Sequence, residues 1–273
     1  MAGITIRFTP DPKQQLIDYI LENYSTLENL CKTTNNPTDM SKCVECHIES
    51  YKYQGKPKYK CDNFKKIYLV RYFATQFAQC DFLIRAYLLT DIVKKSKMAV
   101  VSLGGGPSPE LLALLNELQD RAGNYEISFL NLDGEPSWKT IYIDLANYFT
   151  KAGNIIVRTA FNSVDITKYV STSKYDIVFI PWLLSEIDKR NRKQIIELAR
   201  DITISKGFVI ITDRSEETLI SDISNIINKT NGITLEEQAA LHGLYCGVSF
   251  PDNIAELFKV RLKSYANYWI LRK

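Results

Sequence analysis

VVSLGGGPSPELLALL, residues 100–115, passes from an apolar run through three glycines into a helix-forming segment. Pro107 or Pro109 suits the first helical turn, where the missing N–H leaves no bond unmade. Glycines at such a turn let the backbone take positive φ and approach a ligand closely. A tight strand-to-helix connection is the alternative reading. A Walker-type phosphate loop is disfavoured, because no G-K-[S/T] follows. The dinucleotide pattern G-x-G-x-x-G is incomplete: neither Gly104 nor Gly106 has a glycine three places on. The next apolar run ends in FLNLDGEPSW, residues 129–138, and places Asp133 directly after a strand. That is the side on which open α/β sheets bind ligands. A carboxylate there can accept both hydroxyls of a ribose. The alternative is an N-cap for a helix starting near residue 136.

Working outward, the spacing predicts strands at 98–103, 127–132, 154–158, 175–180 and 207–212. Helices are predicted at about 108–120, 136–152, 190–204 and 215–229. Continuous apolar runs alternating with amphipathic helices signal a buried parallel sheet covered on both faces. HGLYCGVSF (242–250) and SYANYWILRK (264–273) read as two further strands around a short helix near 252–262. The expected fold class is α/β, a Rossmann-like, mostly parallel, seven-stranded sheet with a helical, cysteine-bearing N-terminal extension. Residues 1–97 form that extension and residues 98–273 the ligand-binding domain.

LGGGPSPE (103–110), LNLDGE (130–135) and YDIVFIPWLLSEI (175–187) resemble the first, second and fourth-strand motifs of the class I S-adenosylmethionine (SAM)-dependent methyltransferases. The resemblance covers about 98–273 and implies SAM as the cofactor. It implies that Gly104, Gly105 and Gly106 wrap the methionine part and that Asp133, beside Gly134, holds the ribose. Asn162 or Asp165 would meet the adenine amino group. Pro181 and Trp182 would stand at the mouth where the methyl group is presented. Methyl transfer is an in-line displacement, accelerated largely by holding the nucleophile in line. Trp182 can pack against an aromatic acceptor or help enclose the sulfonium, or simply fill the sheet edge. Two departures stand out. The usual acid before the glycines is replaced by Val101-Ser102-Leu103, and the amino-methylase signature [D/N]-P-P-[Y/F/W] is reduced to Ile180-Pro181-Trp182. Leu184-Ser185-Glu186 resembles an element of some RNA-directed members.

The rest bounds the function. With 273 residues, 45% hydrophobic and 24% charged, the chain can bury a large core without metal or disulfide. Its net charge of +3 is too small to mark a nucleic-acid binder by itself. MAGITIRFTPDPKQQ carries no apolar signal segment, and no run reaches the roughly 18 apolar residues of a membrane span. An intracellular protein, cytoplasmic or nuclear, is expected. Its six cysteines are then thiols or metal ligands. Cys43-x-x-Cys46 has zinc-knuckle spacing, and Cys31 and Cys61 complete a set of four thiolates, with His47 as alternative fourth ligand. Free buried thiols are the other reading. YKYQGKPKYKCDNFKKIYLVRY (51–72) interleaves lysines and aromatics, as single-stranded RNA-binding surfaces do. Its alternative is a solvated basic face with Tyr68 and Tyr72 in a helix core. The combined expectation is a SAM-dependent methyltransferase with RNA as favoured acceptor. A small-molecule enzyme with the N-terminal helices as lid, and an inactive SAM-fold binding protein, are the rivals.

Overall fold

The computed structural model describes residues 11–28, 30–31, 36–37, 40–52, 59, 61–119, 121–149 and 155–273. Helix α1 (Pro12–Tyr24) starts where the Asp11 side chain accepts the Lys13 N–H at 2.9 Å and Pro12 opens the first turn. It buries Leu16, Ile17 and Ile20. Strands β1 (Leu30–Cys31) and β2 (Asn36–Pro37) pair antiparallel, and α2 (Met40–Lys52) follows. Helix α3 (Asp62–Leu83) runs on through a π-helical turn at Ile84–Leu88 into α4 (Leu89–Ile92).

Then the alternation begins: β3 (Lys97–Leu103), α5 (Pro109–Gln119), β4 (Tyr125–Asp133), α6 (Trp138–Phe149), β5 (Ile155–Ser163), β6 (Tyr175–Pro181), α7 (Lys189–Ile202), β7 (Thr203–Arg214), α8 (Glu217–Lys229), β8 (Thr234–Ala240), α9 (Asp252–Phe258) and β9 (Ala266–Arg272). The seven-stranded sheet has the order β5-β4-β3-β6-β7-β9-β8. All neighbours are parallel except β9, which runs antiparallel to both β7 and β8.

Strand residues alternate between two apolar cores. Val100, Phe129, Ile177 and Ile210 face α3, α5 and α6, while Val101, Leu103, Val178 and Ile180 face α7 and α8. This period of two, apolar on both sides, is why the central strands read as unbroken hydrophobic runs. The first core does not stop at residue 97: Leu16, Phe73, Phe77 and Leu83 belong to the same cluster as Leu112, Phe129 and Ile270. The described N-terminal helices α1 and α3 thus form part of one layer over the sheet.

Two expectations are corrected. HGLYCGVSF is not a strand; it is a loop with Gly243 and Gly247 at positive φ and only one bridge, Tyr245 to Lys263. The antiparallel partner of β9 is the polar edge segment TLEEQAA, whose solvated outer positions hide it from an apolar scan. Among the described residues the expected zinc cluster is not assembled. Cys43 and Cys46 lie one turn apart on α2 rather than on a knuckle, the Cys43 thiol is buried and accepts from Asn63 Nδ2 at 3.4 Å, and Cys61 precedes α3 as its N-cap residue. Among the described residues no three His, Cys, Asp or Glu side chains are grouped to hold a metal; the Cys31 side chain lies outside them. His47 is fully buried with its ring 4.2 Å from that of Phe64, and burial, with Arg71 adding, pushes its pKa down to about 3. No described helix is long and apolar enough to cross a membrane.

The shared core makes a stability prediction. Phe73→Ala, at a fully buried site on α3, is expected to lower unfolding free energy by about 3–5 kcal/mol. Urea denaturation should show one shifted transition for the whole chain, whereas an autonomous N-terminal unit would give two.

Candidate functional site

Three neighbouring strand ends build the site. The turn Gly104–Gly106 leaves β3, Asp133 ends β4, and Pro181 ends β6, all on the carboxyl edge. β4 clamps the glycine turn. Gly104 N donates to Leu132 O at 2.7 Å, Gly106 N to the Asp133 carboxylate at 2.8 Å, and Asn131 Nδ2 to Gly106 O at 2.9 Å. Gly104 is required twice over: its φ is +75°, and a Cβ there would meet Leu183 Cδ1 at 2.9 Å. At Gly105 a Cβ would come within 2.5 Å of Asn131 Oδ1 and 2.6 Å of Ser102 Oγ.

Beneath Gly105 lies a polar nest that sequence reading missed: Ser102, Ser108, Glu110 and Asn131, all essentially inaccessible. Glu110 puts a carboxyl under the turn from the helix side. Neither of its oxygens completes a hydrogen bond among the described residues. Burial pushes its pKa up to about 7, with the Ser102 and Ser108 hydroxyls pulling the other way.

Asp133 does not cap α6. Its second oxygen accepts Glu135 N at 2.8 Å, closing a local turn. Burial raises its pKa to about 6 against these two N–H bonds. Each carboxylate oxygen keeps a lone pair for a ligand. Trp182, directly after β6, sits in the left-handed region with φ of 56°. It is held there because its N–H donates to Thr212 O at 2.7 Å, while Asp213 of β7 accepts Ser185 N at 3.0 Å. A strained backbone locked by its neighbours is a common mark of a functional loop.

A cavity of about 260 Å³ lies over these groups, lined by Gly104, Gly105, Gly106, Asp133, Gly134, Pro181 and Trp182 among others. Asn162 and Asp165 do not line it; Ile166 does. Asp165 instead caps the 3-10 turn Ile166–Lys168, accepting from Thr167 N at 3.1 Å, and Asn162 lies on β5 opposite Leu132. From the N-terminal side come Tyr59, Tyr68 and Gln76. Tyr59 OH donates to Glu186 Oε1 at 3.1 Å. A second cavity of about 300 Å³ adjoins the first, and Tyr68, Gln76, Trp182 and Glu186 line both. Water in the open cleft reaches Glu186, yet enclosure by protein pushes its pKa up to about 7, with Arg214 and Tyr59 holding it lower.

Of the basic–aromatic run, Lys56, Lys58 and Lys60 lie outside the described residues. Lys65 is buried and pairs with Asp62 at 3.0 Å, so it belongs to no exposed track. Tyr68 and Tyr72 wall the second cavity.

No protein-family profile matches the sequence, and comparison with characterised proteins finds no match. Solved structures do match. The magnesium protoporphyrin IX methyltransferase ChlM from Synechocystis PCC 6803, with bound SAH (S-adenosylhomocysteine), superposes with a TM-score of 0.53 at 14% identity, over 86% of this chain and 100% of that one. Its SAM-bound form gives 0.52 at 15% identity, over 88% and 99%. The plantazolicin methyltransferase BpumL in complex with SAH gives 0.50 at 12%, over 95% and 99%. The fold is that of the class I SAM-dependent methyltransferases. In this methyltransferase fold the residues present suit SAM: a bare glycine turn with positive φ, a carboxylate beyond it, and a cleft joining the two.

Glu110 generates a pH prediction. Its folded pKa of about 7 lies above the ordinary glutamate value of 4.5, so the folded state holds the proton more tightly than the unfolded one. Stability is then undiminished below about pH 4.5 and falls as pH rises through about 7. Glu110→Gln is expected to be more stable than wild type at pH 8, by about 1–3 kcal/mol, with the gap closing at pH 4.5. Urea denaturation at both pH values checks it.

Proposed function

We propose that this chain is a SAM-dependent methyltransferase acting on a small molecule held between the sheet edge and α3. The observation that supports it is the pair of adjoining cavities. One lies over the glycine turn and Asp133, the other is walled by α3, and they meet at Tyr68, Gln76, Trp182 and Glu186.

SAM, when bound, supplies an electrophilic methyl group on a cationic sulfonium. The chain's own residues do the rest. Gly104–Gly106 offer backbone to the ligand without side-chain obstruction. Asp133 takes the ribose hydroxyls with its remaining lone pairs. Trp182 presents an aromatic face at the junction. Tyr59, Tyr68 and Trp138, with ring centroids 5.4–6.1 Å apart, wall the N-terminal side. Glu186 takes the proton that the acceptor releases, so the methylated acceptor, SAH and one proton balance the reaction. With a pKa near 7 the carboxylate is well matched to that role at neutral pH.

RNA is the second reading. The second cavity, about 300 Å³ between Trp182 and Tyr72, has room for one splayed base. Salt-sensitive binding of a single-stranded oligonucleotide favours it. Neither reading assigns a role to zinc.

Calorimetry with SAM tests the cofactor half: Asp133→Ala should weaken binding by more than about tenfold, because charge-assisted hydrogen bonds are lost. A wild-type chain that binds neither SAM nor SAH overturns the proposal. For the transfer step, SAH release is expected to fall as pH drops below about 7 and Glu186 is protonated. In Glu186→Gln that limb should vanish together with about 10²-fold or more of the rate.

A further inference from the structure

The second cavity has a charge pattern of its own. Aromatic side chains Tyr68, Tyr72, Trp182 and Tyr265 wall it, and Arg214, Arg261 and Lys263 stand around it. Among the described residues its one acid is Glu186, on the side shared with the first cavity. Several cations elsewhere are ion-paired: Arg85 with Glu117 at 2.5 Å, Arg192 with Asp222 at 2.9 Å, and Arg272 with Asp91 at 2.9 Å. Arg261 and Lys263 have no ion pair among the described residues. Both are solvent-exposed and stand two residues apart on the same wall, so an anion entering there meets two positive charges.

The backbone that carries them is fixed. Arg261 N donates to Arg71 O at 3.0 Å, Cys246 N to Leu262 O at 2.9 Å, and Ser264 N to Leu244 O at 2.9 Å. The Arg261 guanidinium lies 5.3 Å from the centre of the Tyr72 ring, which leaves its edge for hydrogen bonding. Nearby Arg71 is committed, since it donates to Phe258 O at 2.9 Å and Lys259 O at 2.6 Å.

Gln76 adds an independent observation. It is 6% exposed and lines both cavities. Its Nε2 donates to Tyr68 OH at 2.6 Å, but its Oε1 has no partner among the described residues. A buried amide oxygen without a donor is costly to keep, and an O–H or N–H on the acceptor would satisfy it.

We infer that the acceptor is a planar aromatic anion, its acidic group held by Arg261 and Lys263 and its O–H or N–H directed to Gln76 and Glu186. This rests on the proposed methyltransferase reading. The shared chemistry is a ring bearing a carboxylate or a phosphate.

Calorimetry of the full chain saturated with SAH, using 4-hydroxybenzoate, phenyl phosphate and neutral 4-hydroxybenzamide, decides it. At least one anion should bind about tenfold or more tighter than the amide, and the tighter one identifies the acidic group. Raising salt should erode the preference. Arg261→Glu with Lys263→Glu should abolish it, and Lys263→Gln alone should reduce it; SAH affinity of each variant checks that the fold is intact. Equal binding of acid and amide, a preference that survives the double reversal, or a single-stranded oligonucleotide outcompeting every small probe each overturns the inference. Failure of SAH to bind strikes the methyltransferase reading instead, and the probe preference is then read on the chain alone.

Discussion

Hydrogen bonds from the end of β4 to the turn after β3 hold the site together. Leu132 O, the Asp133 carboxylate and the Asn131 amide grip Gly104 and Gly106 at 2.7–2.9 Å. Each neutral bond is worth only about 0.5–1.5 kcal/mol net, and the charged one more. Their importance is geometric. They fix two glycines at positive φ, aim α5 through Pro109, and bring Leu183 against the bare Gly104 backbone. Asp133 is therefore both a candidate ligand group and a strut.

Helix α3 makes the second constraint. It lies in the core shared with the sheet, and it sends Tyr68 and Gln76 to both cavities and Tyr72, Thr75 and Gln79 to the second. Gln79 is 1% exposed; it donates to Ser264 Oγ at 2.7 Å and accepts from the Trp182 indole at 3.3 Å. One helix thus ties the loop after β6 to the segment carrying Arg261 and Lys263. The two cavities share a rigid wall, so a change that moves α3 reaches both.

The doubly apolar strands and the glycine turn were legible in the sequence because their physics is local. The helix start at Pro109, one of the two prolines offered for the first turn, was legible for the same reason. Edge strand β8 was not, since half its residues face water. The CxxC spacing is a weak signal because on a helix it only places two thiols one turn apart. Asp165, offered with Asn162 as an adenine contact, has its side chain on the next turn as a cap, which the sequence did not show. Glu110 and Gln76 could not be picked out, because their burial depends on α5 and α3 packing over the sheet. Glu186 was visible only as part of a tripeptide; its place at the junction depends on Asp213 anchoring Ser185. Arg261 and Lys263 come from a stretch with no motif at all.

The order of strands carries a consequence for biosynthesis. β9 lies between β7 and β8, so the sheet cannot close until residues 266–272 have been made. The N-terminal helices depend on late segments too: Tyr87 bonds Tyr268 across 181 residues, and Arg71 bonds Phe258 O across 187. While the ribosome works through the intervening chain, α3 presents apolar faces on most sides with part of its cover still unsynthesised. Contacts of such sequence separation form slowly and leave nascent chains open to aggregation. A folding intermediate that lacks β9 therefore leaves α3 partly uncovered, and that apolar face is where misassembly would start.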